Sequence, residues 1–220
     1  MKIRMSKFIT MFTALIIGSN QQLFAQKENE ELKLNIQMRP RAEFRNGLFT
    51  PILEGQTPAS FISQRSRLGL TYSKNEKLKI GLSAQVVNVW GNDPQVQPVA
   101  NDISVYEAWA QLNFNTNWYT KIGRQVFSYD DERILGSLDW NHAGRKHDAA
   151  LVGFEKNKFK GNAAVAFNQN SEKITNTFFD NSFSQPYKAM EFFWMKYTFT
   201  DRFSASALAM NLDFQNKFDS

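Results

Sequence analysis

The sequence has no cysteine and only two histidines in 220 residues. Without cysteine there is no disulfide framework and no thiol chemistry, so stability has to come from a hydrogen-bonded, packed fold. The two histidines, His142 and His147, are five residues apart, a spacing that fits neither one strand face nor one helix face as a metal pair. No serine-centred nucleophile elbow is present. The neighbouring carboxylates Asp130, Asp131 and Glu132 lack the spaced ligands of an EF-hand calcium loop. The reading is of a protein that is not an enzyme and uses no cofactor and no metal.

A long hydrophobic run is also missing. The longest, Phe8 to Ile17, is about ten residues, where a membrane helix needs roughly 20. Lys2, Arg4 and Lys7 precede it, and Gly18 and Ser19 begin a more polar stretch. Together these read as a secretory signal peptide over residues 1–25, cleaved after Ala25. Residues 26–220 then form one domain with no helical span. The formal charge of +5 falls to +2 without the leader's three cations, 23 basic against 21 acidic residues. That balance gives no support to a nucleic-acid partner. The mean hydropathy of -0.45 suggests a soluble protein, but a two-faced strand hides its apolar half in such an average.

Alternation of period two dominates what remains. From Leu32 to Arg45 one face carries Leu32, Leu34, Ile36, Met38, Pro40, Ala42 and Phe44, and the other Lys33, Asn35, Gln37, Arg39, Arg41, Glu43 and Arg45. One-sided burial of a long strand is the simplest cause. The pattern returns around Arg67 to Tyr72 and Leu78 to Val86. Further strands are expected at about Ser104–Phe114, Trp118–Phe127, Ala149–Phe154, Phe159–Asn168, Met190–Phe199 and Phe203–Leu212, nine in all.

The connections set the class. Short polar turns at Ser73–Lys77, Asn115–Asn117, Glu155–Lys158 and Thr200–Arg202 alternate with long ones at about Asn46–Ser60, Gly91–Ile103, Ser128–Asp148 and Asn170–Tyr187. A transmembrane β-barrel has this rhythm, with brief turns on one side and long loops on the other. Tyr72, Phe114, Trp118, Phe154, Phe159, Phe199 and Phe203 bracket the short turns, where interfacial rings belong. The expected fold is therefore all-β, an antiparallel transmembrane β-barrel. Nine is an odd count and no closing strand is evident before Ser220, so either the chain is part of a longer barrel or eight strands close.

Arg39 and Arg41 on the first strand, and Arg65 and Arg67 on the second, share a polar face at similar height. Two readings are open for them: a salt-bridge network with Glu43, Glu107 and loop acids, or an anion-selective passage. The stretch from Gly123 to Asp148, dense in glycine, charge and tryptophan, reads either as an ordered loop folding inward or as a mixed-charge surface loop.

In that stretch Gly123-Arg124-Gln125 is followed by Tyr129-Asp130-Asp131-Glu132-Arg133, Trp140, and Gly144-Arg145 leading to Asp148. The arrangement resembles the signature of the alginate export family of outer-membrane porins. Arg65 to Leu70 resembles the same family's early arginine-rich strand, and the similarity extends from about Leu32 onward. It implies a barrel of about 18 strands with an arginine-rich lumen, of which this chain would be the N-terminal half. The family's best-known member exports alginate, an anionic polyuronate. The leader looks like that of Bacteroidetes-type bacteria, so the substrate is not carried over with the fold.

The lumen candidates are Arg39, Arg41, Arg65, Arg67, Arg124, Arg133 and Arg145, with strict alternation placing Arg124 on Ile122's side. The expected function is that of a porin in the bacterial outer membrane, surrounded by lipid and lipopolysaccharide. It would pass an anionic small-molecule or polysaccharide solute, outward or inward. The alternative is an adhesive or structural barrel that binds a partner through its long loops.

Overall fold

The computed structural model describes residues 25–27, 30–47, 50–93, 95–96, 103–172, 174–175, 177–179 and 187–215. The expected leader lies outside the described residues except for Ala25. Ten strands make one sheet: β1 (Ala25–Lys27), β2 (Glu30–Arg45), β3 (Ala59–Lys74), β4 (Leu78–Val89), β5 (Ser104–Asn113), β6 (Trp118–Gln125), β7 (His147–Lys156), β8 (Phe159–Phe167), β9 (Ala189–Thr200) and β10 (Phe203–Asp213). Each pairs antiparallel with its neighbour in sequence, and there is no helix among the described residues. The sheet is open, with β1 and β10 at its ends. The nine long strands are those expected from alternation; β1 is an addition, pairing Ala25 with Leu32.

The short and long connections also fall as expected. All the short turns lie at one end of the sheet because consecutive strands run antiparallel. Their chemistry is local. Asn75 and Glu76 both adopt positive φ, 51° and 54°, the pair that a tight hairpin turn needs, and the Lys77 N–H closes onto the Lys74 carbonyl at 3.0 Å. In the next short turn Asn115 Oδ1 accepts from the N–H groups of Asn117 and Trp118.

Burial across the sheet is inverted relative to a water-soluble sandwich. On β2, Ile36 and Phe44 are 69% and 72% exposed, while Arg39 and Arg41 on the opposite face are partly covered. Leu68, Leu82, Ile122, Val152, Val165 and Phe193 continue the exposed apolar face strand by strand. Arg65, Ser83, Gln85, Gln125 and Asn162 lie on the covered face. Large rings fill space there that glycines leave: a Cβ on Gly81 would enter the Trp109 indole, and one on Gly153 would enter the Tyr119 ring. This is the cross-strand pairing by which an aromatic side chain shields a strand glycine.

Two expectations need adjustment. The strand expected to run to Phe127 ends at Gln125, and β7 begins two residues before Ala149, because Phe127 leaves the ladder to be buried. The covered face is also not uniformly polar. On β8 and β9, Ala164, Ala166, Met190, Phe192 and Trp194 form a small apolar core with Phe127, Leu135 and Leu151. That core packs the first limb of the β6–β7 connection against the sheet.

Candidate functional site

The β6–β7 connection, residues 126–146, folds over the covered face and divides into two limbs. The first is held by aromatic packing. Phe127 meets Phe192 edge-on at 4.9 Å and stacks on His147 at 5.1 Å, and Tyr129 lies 4.7 Å from Trp194. The Trp194 indole N–H donates to Asp130 at 2.9 Å. The second limb carries Asp139 to Ala143 across to the arginine-bearing strands. The stretch is thus an ordered loop laid over the covered face of the sheet.

Four of the expected arginines come together. In the β2–β3 ladder Arg39 stands directly opposite Arg65, Gln37 opposite Arg67 and Arg41 opposite Ser63. Facing like charges repel, and the loop relieves that repulsion. Arg65 Nη2 donates to Asp139 Oδ1 at 2.8 Å, and Arg39 Nη1 donates to Oδ2 at 3.1 Å. Arg65, 0% exposed, also donates to the carbonyl of His142 at 3.4 Å. Arg41 Nη1 reaches the Trp140 carbonyl at 2.7 Å, and Arg41 and Arg45 share Glu43.

Arg67 differs from its neighbours. Its Nε and Nη2 donate to Gln85 Oε1 at 3.0 and 2.7 Å, and its guanidinium lies 3.3 Å from the centroid of Tyr106. A register shift against β4 makes Tyr106 an extra residue in its strand, and its ring turns to the covered face, where it is 4% exposed. Among the described residues, four guanidiniums in this cluster share two carboxylates, Asp139 and Glu43, and Arg67 adds a fifth that pairs with neither. The cluster is therefore net positive. Glu107, a counter-charge in the salt-bridge reading, accepts from the Trp109 indole at 3.2 Å.

Local charge sets the protonation of the loop groups. Burial opposes ionisation of Asp139, but the hydrogen bond from Arg65 and the charges of Arg65, Arg39 and Arg67 outweigh it and hold the carboxyl below its usual range. His142 is pushed down by burial and then by Arg41, Arg39 and Arg65, with Glu43 opposing. At neutral pH it is therefore an uncharged imidazole, its Nε2 2.8 Å from Ser63 Oγ. A cavity of about 390 Å³ opens beside it, lined by Arg41, Glu43, Arg45 and His142.

The other three arginine candidates do not join. Arg124 bonds Asp148 through Nε and Nη2 at 2.9 and 2.8 Å, opposite Asp148 in register and on Ile122's side. That is the position strict alternation gives it. Arg133 is 85% exposed and paired with Asp131. Arg145 sits at the neck of the second limb, where its N–H donates to the Ser137 carbonyl at 2.7 Å.

The salt-bridge reading names loop acids without singling out Asp139 as the bridging one, and Gln85, Tyr106, Ser63 and His142 are not anticipated. The three neighbouring carboxylates disperse to separate partners: Asp130 to Trp194, Asp131 to Arg133, and Glu132 to Ser137 at 3.0 Å.

No protein-family description matches the chain, and no curated protein is found to match it.

Proposed function

We propose that this sheet is the wall of a transmembrane β-barrel in a bacterial outer membrane, and that the barrel is a porin with an arginine-lined passage for anionic solutes. Inverted burial is the observation that carries the reading. In water, a continuous face bearing Ile36, Met38, Phe44, Leu68, Leu82 and Ile122 would be unfavourable by about 25 cal/mol per Å² of apolar area. Hydrocarbon removes that penalty. The opposite face carries guanidiniums, which hydrocarbon excludes and a wet lumen accepts.

Two further features support the reading. Rings gather at the short-turn end, with Trp118 against Phe154 at 4.7 Å, Phe154 against Phe159 at 5.9 Å and Phe199 against Phe203 at 5.2 Å. An aromatic girdle at a membrane interface has this form. The long connection that crosses the covered face would narrow the passage beside the arginines. Closure of the sheet across its two edges is part of the proposal, since unpaired strand edges are costly in lipid.

The net positive cluster favours anions, and planar guanidinium suits carboxylate or phosphate. The resemblance to alginate export porins agrees with a solute in this class, an anionic small molecule or saccharide. The test is conductance of the full-length protein in a planar bilayer under a salt gradient. An anion-selective current is expected, its selectivity reduced by Arg67→Ala. A silent bilayer removes the porin, and cation selectivity removes the role of the arginines.

A further inference from the structure

The Arg39–Arg65 pair is built as a clamp for one carboxylate, and the carboxylate it holds belongs to the protein. Asp139 gives one oxygen to each guanidinium, at 3.1 and 2.8 Å. The two sides of this contact are covered unequally. The Arg65 side chain is fully buried, whereas that of Asp139 is 54% exposed, so the acid reaches the pair from the open side. The Nε groups of both arginines are buried without a protein partner among the described residues, which leaves donor capacity that Asp139 does not use.

The limb carrying Asp139 is closed on itself, independently of the arginines. The Arg145 N–H donates to the Ser137 carbonyl, and the Asn141 N–H to the Leu138 carbonyl at 2.9 Å. Gly144, at φ +67°, turns the chain back beneath Tyr106. Apart from Asp139, contacts from this limb to β2, β3 and β4 run through the carbonyls of Trp140, Asn141, His142 and Ala143 and the His142–Ser63 pair. Asp139 is the one carboxylate among them.

We propose, resting on the reading of an anion-accepting lumen, that Arg39 and Arg65 form an oxyanion-binding site of which Asp139 is the tethered occupant, and that a solute carboxylate or phosphate binds there by displacing it. A buried guanidinium without a counter-charge is costly, so the limb leaves only as the incoming anion arrives. Arg67, which lacks a carboxylate partner among the described residues, offers a third guanidinium beside the exchange. A flexibly tethered group acts at an effective concentration on the order of millimolar. A free anion of similar intrinsic affinity should therefore half-displace Asp139 in about that range.

The chain has no cysteine, so Ala143→Cys can carry a single nitroxide label on the limb of the full-length protein in detergent micelles. Acetate and inorganic phosphate are the probes, with glucose and chloride at matched ionic strength as controls. Label mobility should rise with at least one oxyanion and with neither control. Asp139→Asn should be mobile without any anion and bind the responding oxyanion about tenfold more tightly. Arg39→Gln, at a less buried position than Arg65, should weaken the response about tenfold.

A response to acetate alone or phosphate alone supports the site and identifies its ligand. A label that ignores both oxyanions, or that is as immobile in Asp139→Asn as in the parent, overturns the inference. No current is needed for this measurement. A channel silent in the bilayer with a responding label removes transport and keeps the site, whereas an anion-selective channel with an unresponsive label does the reverse.

Discussion

Arg39 and Arg65 face each other directly across the β2–β3 ladder, two like charges at one level of the sheet, and the carboxylate that reconciles them arrives from Asp139, a hundred residues along the chain from Arg39. Packing, charge and function meet in that arrangement. The arginines dock the second limb of the loop, and the limb supplies their counter-charge.

The facing of the strands predicts opposite outcomes for the same substitution on neighbouring faces. Leu82, near the middle of β4, is on the exposed apolar face. Leu82→Arg should destabilise the protein folded in lipid vesicles by about 2–4 kcal/mol, the range for a cation at the bilayer midplane. Asn35→Arg, which faces Gly69 on the other side of the sheet, should cost far less. Urea titration in vesicles reads both. Equal effects, or a stabilised Leu82→Arg, would mean that the apolar face meets water.

Glycine at 153 is required by a neighbour and not by its own backbone. The Tyr119 ring occupies the space of a Cβ there, and its hydroxyl accepts from Asn162 Nδ2 at 3.0 Å. Gly153→Val should displace the ring and cost about 1–3 kcal/mol, as overpacking does. An unchanged urea midpoint would show that the ring moves freely.

Acidification should loosen the second limb in two stages. His142 has a lowered native pKa, so below about pH 6.5 the unfolded chain takes up a proton that the folded one resists. Stability then falls as pH drops from that value toward the native pKa. Asp139 has a lowered native pKa too. Its contribution is complete above the unfolded value of about 3.9 and is lost as pH falls through the native one. Urea midpoints between pH 3 and 8 should show both losses, and His142→Gln should remove only the first. A midpoint that rises between pH 7 and 5 would contradict this assignment.

Most of the sheet was legible because alternation is a local signal. The β2 face of Ile36, Met38 and Phe44 and the height match of Arg39 with Arg65 both follow from period two plus the position of the 75–77 turn. Where a strand ends is less local. Phe127 continues the pattern of β6, yet it leaves the ladder because Phe192 and His147 offer it a buried site. The apolar run Phe192-Phe193-Trp194-Met195 in β9 hides its alternation, because Phe193 and Met195 face outward while Phe192 and Trp194 on the covered face are apolar too.

The site itself was half legible. Arginines on paired strands are placed by register, but Asp139 reaches them through a loop whose path is set by distant packing, and Tyr106 reaches Arg67 through a register shift that strict alternation does not anticipate. The resemblance grouped Arg124, Arg133 and Arg145 with the rest. The guanidiniums of Arg124 and Arg133 pair locally with Asp148 and Asp131, and the Arg145 backbone closes the neck of the second limb onto the Ser137 carbonyl.

The central claim is that one face of this sheet meets hydrocarbon and the other meets water. Single nitroxide labels at Leu82 and Asn35, on the protein reconstituted in lipid, test it directly through collision with oxygen, which concentrates in the bilayer, and with a water-soluble nickel chelate. The account predicts that position 82 collides with oxygen and is shielded from nickel, and that position 35 does the opposite. Equal nickel access at both positions would contradict it.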